Sequence, residues 1–262
     1  MTSFPNGQTD LFTLSFFTSL FSSPQSRPIG EMIRTDMHAH WLPGIDDGAK
    51  TPEESLALVH GLYKLGYRRL IATPHFYPDL YPNTPDTIRQ AFDSVAPQIR
   101  HELPDLEISY AAEYYIDDAF PALVERKELL PITENKVLIE FSFFAEPPHV
   151  EDTIFRMQLK GYLPILAHVE RYPYYFQQPQ RLERFRDMGV TFQCNLPALA
   201  GHYGPEVKKQ ALRLLKNGHY SWMGTDLHNL DHLNKLKNFN IDPSVSKLLE
   251  KGSWNDIVKS SK

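Results

Sequence analysis

One cysteine, Cys194, is all that 262 residues contain, which excludes an intramolecular disulfide framework and any cysteine-rich zinc module. The shortage fits a reducing compartment, and the cytosol is the expected location. No long basic run is present, and the formal charge of −5 argues against a dedicated nucleic-acid surface and against steering to anionic membranes. The apolar run Leu11 to Phe21 is too short to span a bilayer. The chain has neither a glycine-rich nucleotide loop nor a Gly-x-Ser-x-Gly elbow. Six positions after Cys194 stands Ala200, so the Cys-x5-Arg phosphate loop of cysteine phosphatases is missing and Cys194 reads as a packed strand residue. What remains is ordinary globular composition, 42% hydrophobic and 23% charged, with no sequence repeat.

Residues 1–30 read as an apolar extension and linker, and 31–262 as a single domain. Asp10 precedes the apolar run and the first basic residue is Arg27, the wrong charge order for a signal peptide. Phe12, Phe16 and Leu20 at i, i+4 spacing predict a short helix that docks on the domain or on a second copy. From Arg34 onward apolar runs alternate with amphipathic stretches. Strands are expected at 34–38, 69–73, 106–113, 136–141, 163–168, 190–195 and 220–225. Helices are expected near 52–65, 84–102, 117–126, 148–160, 178–188, 204–217 and 243–250. Thr51-Pro52-Glu53-Glu54 supplies a cap, a first-turn proline and N-terminal acids, while Gly66, Gly161, Gly189 and Gly218 close helices before the next strand. Seven β/α units in one run predict a parallel α/β barrel.

In such a barrel the active site gathers at the C-terminal ends of the strands, and the unusual polar residues fall there. His38 and His40 end the first strand, where i, i+2 spacing puts both on one face. Pro43, Gly44 and Gly48 allow turns that could bring Asp46 and Asp47 back to the same point. His75 follows the second strand, Glu113 ends the third, Glu140 lies in the fourth, and His168 ends the fifth with Arg171 three residues on. Asn195 ends the sixth, and Asp226 with His228 repeats the same-face pair at the seventh. Imidazoles mixed with carboxylates suit Mn, Fe or Zn, and the shared placement points to a polynuclear metal site. The other six of the eleven histidines, His60, His101, His149, His202, His219 and His232, read mostly as surface residues, with His202 and His232 close to strand ends.

These motifs together, Asp36-x-His38-x-His40-x-Leu42-Pro43-Gly44-Ile45-Asp46-Asp47-Gly48, Thr73-Pro74-His75, Ala112-Glu113-Tyr114, Ala167-His168-Val169-Glu170-Arg171-Tyr172 and Thr225-Asp226-x-His228-Asn229, resemble the polymerase-and-histidinol-phosphatase (PHP) superfamily. Within it the chain is similar to the bacterial manganese-dependent protein-tyrosine phosphatases of capsule and exopolysaccharide loci. The resemblance implies a distorted (β/α)7 TIM-like barrel with up to three metals on His38, His40, Asp47, His75, Glu113, His168, Asp226 and His228, Glu113 bridging two of them. Manganese is the implied ion, with Fe, Zn or Co as alternatives. Arg171 looks like the family's phosphate-binding arginine. Val169 stands where many relatives have proline, and the basic residue that often follows the Asp-x-His is not evident in Leu230 to Lys235.

Paired divalent ions about 4 Å apart can activate water for in-line attack on phosphorus, and Arg171 can clamp the equatorial oxygens. The predicted function is hydrolysis of phosphotyrosine in protein segments. The resemblance implies the tail of a bacterial tyrosine kinase controlling polysaccharide export as the substrate. His228 is a candidate proton donor as well as a ligand. Phe76, Tyr77, Tyr81, Tyr114 and Tyr115 follow strand ends and could flank an aromatic ring. The alternatives are a small-molecule phosphomonoesterase of the histidinol-phosphatase kind and a non-catalytic metal-binding module.

Overall fold

The computed structural model describes Met1, residues 28–238 and residues 241–255; the apolar run expected to form an N-terminal helix lies outside the described residues. The first element, α1 (Ile29–Ile33), begins inside the stretch read as linker, and Ile29 and Ile33 are buried. The Gly30 N–H donates to the Leu65 carbonyl at 3.1 Å, fastening this turn to the end of the next helix.

Seven strand lines follow, as the sequence predicts, but two are broken, giving nine strands: β1 (Thr35–Ala39), β2 (Arg69–Ala72), β3 (His75–Phe76), β4 (Glu107–Tyr110), β5 (Glu113–Tyr115), β6 (Lys136–Glu140), β7 (Leu163–Leu166), β8 (Thr191–Asn195) and β9 (Tyr220–Gly224). Thr73-Pro74 separates β2 from β3 and Ala111-Ala112 separates β4 from β5; proline has no N–H to give a ladder. The hydrogen-bonded sheets run β1-β2-β4 and β3-β5-β6-β7-β8-β9, with every pairing parallel. A parallel bridge between Ala39 and Leu227, with the Asp226 N–H donating to the His38 carbonyl at 2.8 Å, joins the last strand to the first. The result is a distorted seven-unit parallel barrel.

The outer layer comprises α2 (Pro52–Lys64), α3 (Pro85–Glu102), α4 (Phe120–Arg126), α5 (Val150–Leu159), α6 (Pro179–Asp187), α7 (Leu196–Ala200), α8 (Pro205–Lys216), α9 (Leu230–Lys237) and α10 (Pro243–Lys251). Thr51 caps α2 as its sequence implies, its hydroxyl accepting the Glu54 N–H. Gly161 and Gly218, at φ of 91° and 67°, take the left-handed conformation that lets α5 and α8 stop and turn into a strand. The sequence reading did not separate the short α7, nor α9, whose N-cap is Asn229 accepting the His232 N–H.

Two apolar clusters result. The larger lies between sheet and helices and includes Leu58, Leu70, Val95, Phe120, Phe185, Cys194 and Met223. The smaller, Met37, Ile71, Ala111, Ile132, Leu138, Ile165, Ala167 and Trp222, draws on strands all round the barrel and fills its interior. Cys194 is fully buried and free, a packed strand residue as expected. Among the described residues no helix is long and apolar enough to cross a membrane.

Candidate metal centre

β1 carries His38 toward the site, with a register irregularity between Asp36 and Ala39. The Asp36 carboxylate behind it accepts the Thr225 N–H and hydroxyl, tying the first strand to the last. His38 and His40 converge as their spacing predicts, with Nε2 atoms 3.3 Å apart. The turn after them returns both acids, to different places. Asp47 reaches His75 Nε2 at 3.5 Å and His228 Nε2 at 3.4 Å. Asp46 stays behind, accepting His40 Nδ1–H at 2.8 Å, the Gly48 N–H at 2.8 Å and the His75 N–H at 3.1 Å. Its role is to orient His40, leaving Nε2 free for a ligand bond.

Glu113 stands at the middle. It is fully buried, its Oε2 lying 3.1 Å from His38 Nε2, 3.4 Å from His40 Nε2 and 3.2 Å from His75 Nδ1, while Oε1 lies 3.0 Å from His168 Nε2. Despite three imidazole nitrogens so close, Oε2 accepts no hydrogen bond. Ion-pair contacts without an aligned hydrogen bond leave a buried carboxylate oxygen poorly satisfied, and nitrogens gathered around one point are how ligands surround an ion. Three sets of donors fall within 4.8 Å of one another: His40, Asp47, His75 and His228; His38, His40 and Glu113; His75, Glu113 and Glu140. Asp226 Oδ1 sits 3.5 Å from both His38 Nε2 and His40 Nε2. All eight residues named as ligands from the sequence are therefore together.

The charges fit the same occupant. Burial would push the Glu113 and Asp226 carboxyls up, but the imidazoles around them hold both well below the usual carboxylate range. Burial and the neighbouring His40 pull His75 down, yet Glu140 and Glu113 outweigh them and raise it to about 9. Burial likewise opposes protonation of His40, and Asp46, Asp226 and Glu113 reverse that and raise it well. Without an ion these carboxylates hold protons on the imidazoles, and a divalent cation at the same centre would displace them. The donor set of nitrogen and carboxylate oxygen, with no thiolate, suits Mn, Fe or Zn and excludes soft-metal sites.

Glu140 joins the candidate ligands. The sequence places it in a strand but gives no ligand role; its Oε1 lies 3.1 Å from His75 Nδ1. Gln193 was missed altogether. Its Oε1 faces His38 Nδ1 at 3.1 Å and accepts the His168 backbone N–H at 2.9 Å, so one amide fixes the His38 imidazole and the backbone that carries His168. His168 and Asp226 close their strands with φ of 33° and 53°, left-handed backbone that non-glycine residues rarely adopt and that concentrates at functional sites.

Arg171 belongs to a single 3-10 turn, Val169–Arg171. Its neighbour Glu170 is not its ion-pair partner. That carboxyl is buried, pushed up to about 7 by burial, and accepts the Asn195 N–H and the Tyr220 hydroxyl, pinning the turn to β8 and β9. Arg171 instead donates from Nη1 to Asp226 Oδ2 at 3.0 Å. Its guanidinium is sandwiched between Phe143, at 4.5 Å, and Tyr203, at 4.4 Å. Asn195 Nδ2 also donates to Asp226 Oδ2. Arg171 thus lines a cavity of about 280 Å³ together with Asp47, His75, Glu140, His168 and His228.

The expected aromatic flank is only partly there. Phe76 and Tyr114 are buried, because each lies one residue beyond a site residue and so faces away from it in its strand. Tyr77 and Tyr115 stack on each other at 4.3 Å. Tyr81 stacks on His75 at 5.4 Å and stays at the site, joined there by Phe143, which the sequence reading did not select.

Residues 34–241 match the family described as capsular polysaccharide synthesis, CpsB/CapC. Tyrosine-protein phosphatase YwqE of Bacillus subtilis (strain 168) is 32% identical over 217 residues, spanning 80% of this chain and 82% of that protein. Tyrosine-protein phosphatase CpsB of Streptococcus pneumoniae is 31% identical over 203 residues, 75% of this chain and 83% of its own length. Among solved structures, one from a study of those two proteins, described as unique metal-dependent tyrosine phosphatases, superposes with a TM-score of 0.72 at 29% identity, covering 85% of this chain and 89% of that one.

Proposed function

Because the chain belongs to the CpsB/CapC family of capsular polysaccharide synthesis proteins, we propose that it is a metal-dependent protein-tyrosine phosphatase hydrolysing phosphotyrosine in a protein substrate. The observation that carries this reading is the ring of imidazoles and carboxylates around the buried Glu113 carboxylate, with Arg171 fixed at its edge. Divalent ions bound there would supply a nucleophile at neutral pH and neutralise phosphate oxygens. The chain's own contribution is placement. Gln193 and Asp46 orient ligand imidazoles. Arg171, with Nη1 on Asp226 and its faces covered, is pre-set to donate to equatorial phosphate oxygens with little further loss of side-chain freedom. His228, at the cavity wall beside Asp47 and Asp226, is a proposed ligand and a candidate to pass a proton to the departing phenolate. A phenol, with a solution pKa of about 10, needs little such help.

Manganese is the proposed ion, on His38, His40, Asp47, His75, Glu113, His168, Asp226 and His228, with Glu140 added. The proposed substrate is the phosphotyrosine segment of a bacterial tyrosine kinase acting in capsule synthesis, in the cytosol. The test compares turnover of a phosphotyrosine peptide and of histidinol phosphate by protein stripped and reloaded with manganese, with Arg171→Ala and His40→Ala alongside. Faster peptide cleavage that collapses in both variants is expected. A preference for the alkyl phosphate would sink the substrate assignment, and no turnover of either would sink the enzyme.

A further inference from the structure

A second cleft, of about 330 Å³, adjoins the metal cavity and shares two of its walls, Tyr203 and His232. It opens between the end of α7 and the outer turn of α9. Its chemistry differs from that of the metal cavity, which is lined by Asp47, Glu140 and Asp226. Among the described residues no carboxylate lines this cleft. Lys235 stands at its wall with His202 and His232, whose rings lie 5.5 Å apart and nearly perpendicular, and Ala200 and Leu236 supply an apolar surface. Lys235 makes no ion pair with any described residue, although the chain as a whole carries an excess of acids. In α9, Lys235 lies three residues after His232, so helical spacing places both over the same groove.

Resting on the phosphatase reading above, we propose that this cleft binds an acidic side chain that neighbours the phosphotyrosine in the protein substrate. A peptide whose phosphate enters the metal cavity must leave it past one of the surrounding walls. The cleft lies against that cavity, with Tyr203 and His232 lining both. The aliphatic part of a glutamate fits against Ala200 and Leu236, and its carboxylate meets the ammonium of Lys235 and the imidazole N–H groups. A basic residue there would meet like charge. A small phosphate monoester would leave the cleft empty, so the cleft distinguishes a polypeptide substrate from a metabolite.

The experiment uses the full chain loaded with manganese and two phosphotyrosine peptides identical except that glutamates or lysines occupy the three positions on each side. The wild type is expected to favour the acidic peptide by about fivefold in kcat/KM, the scale of an exposed ion pair, chiefly through KM and decreasing with added salt. Lys235→Glu, a change at an exposed position, is expected to remove or invert that ratio. Equal turnover of both peptides by the wild type, or a ratio untouched by Lys235→Glu, overturns the cleft assignment and leaves the phosphatase reading standing. Fluorescence anisotropy with the unphosphorylated peptides supplies a readout independent of chemistry. Acid-selective binding lost in Lys235→Glu, without turnover of either phosphopeptide, would overturn the enzyme while keeping the cleft. Absence of both turnover and charge-dependent binding overturns the two together.

Discussion

Glu113→Gln is the most informative single change, because it keeps the shape of the side chain and removes only its charge. In the native site this carboxylate has imidazole nitrogens of His38, His40, His75 and His168 within 3.4 Å and no exposure to solvent. A ligand present at a hundred times its dissociation constant stabilises the folded state by about 2.7 kcal/mol. For a domain of this size that corresponds to a rise in Tm of about 5–10 °C. Wild-type protein stripped of metal should gain that much on addition of saturating manganese, with more than one ion retained per chain. In Glu113→Gln the carboxylate common to two of the donor sets is gone, and the gain should shrink to about a quarter or less of the wild-type rise. The metal-free variant should also melt below the metal-free wild type, since removing one member of a buried charged cluster costs about 3 kcal/mol. The measurement is thermal unfolding with and without manganese, paired with metal content by plasma mass spectrometry. A full metal-dependent rise in the variant, with unchanged stoichiometry, would refute the central place given to Glu113.

Three further changes probe the surroundings. Gln193→Leu strips the amide that holds His38 and the His168 backbone; metal affinity should fall about 10- to 100-fold, read by competition with a chromogenic chelator, and an unchanged affinity would remove Gln193 from the site's support. Tyr203→Leu takes away one face of the Arg171 sandwich and should raise KM for a phosphotyrosine peptide by about threefold, the worth of one cation–π contact, with metal content intact; Tyr203→Phe should restore it, and equal effects of the two would point to the hydroxyl instead. Gly48→Ala would set a Cβ 2.0 Å from the His40 carbonyl oxygen and 2.6 Å from the His40 Cβ, so the metal loop must move; a loss of about 1–3 kcal/mol in urea unfolding should accompany weaker manganese binding, and a wild-type profile would show that the loop yields freely.

The barrel could be read from the sequence because its signals are local. Thr51 before Pro52 starts α2, and the apolar run of each strand ends on a single polar residue whose type stands out. His38, His75, Glu113, His168 and Asp226 were accessible in the same way, each being the polar exception at or just after an apolar run, although the structure starts the short β3 and β5 on His75 and Glu113. The parts that escaped depend on distances between strands. Gln193 looks like an ordinary strand residue until β8 lies against β7 and its amide reaches both His168 and His38. Whether Glu140 reaches the site is decided by register. β5 and β6 pair with Glu113 opposite Leu138 and Tyr115 opposite Glu140, which places Glu140 two rungs beyond the central carboxylate on the inward face and brings it to His75. A slip of one residue would turn Glu140 outward and Ile139 inward, with every residue of the sequence unchanged. A ligand set spread over six of the seven strand lines is therefore legible one strand at a time only where each residue is anomalous by itself; where a residue owes its role to the rung it occupies, the pairing has to be seen.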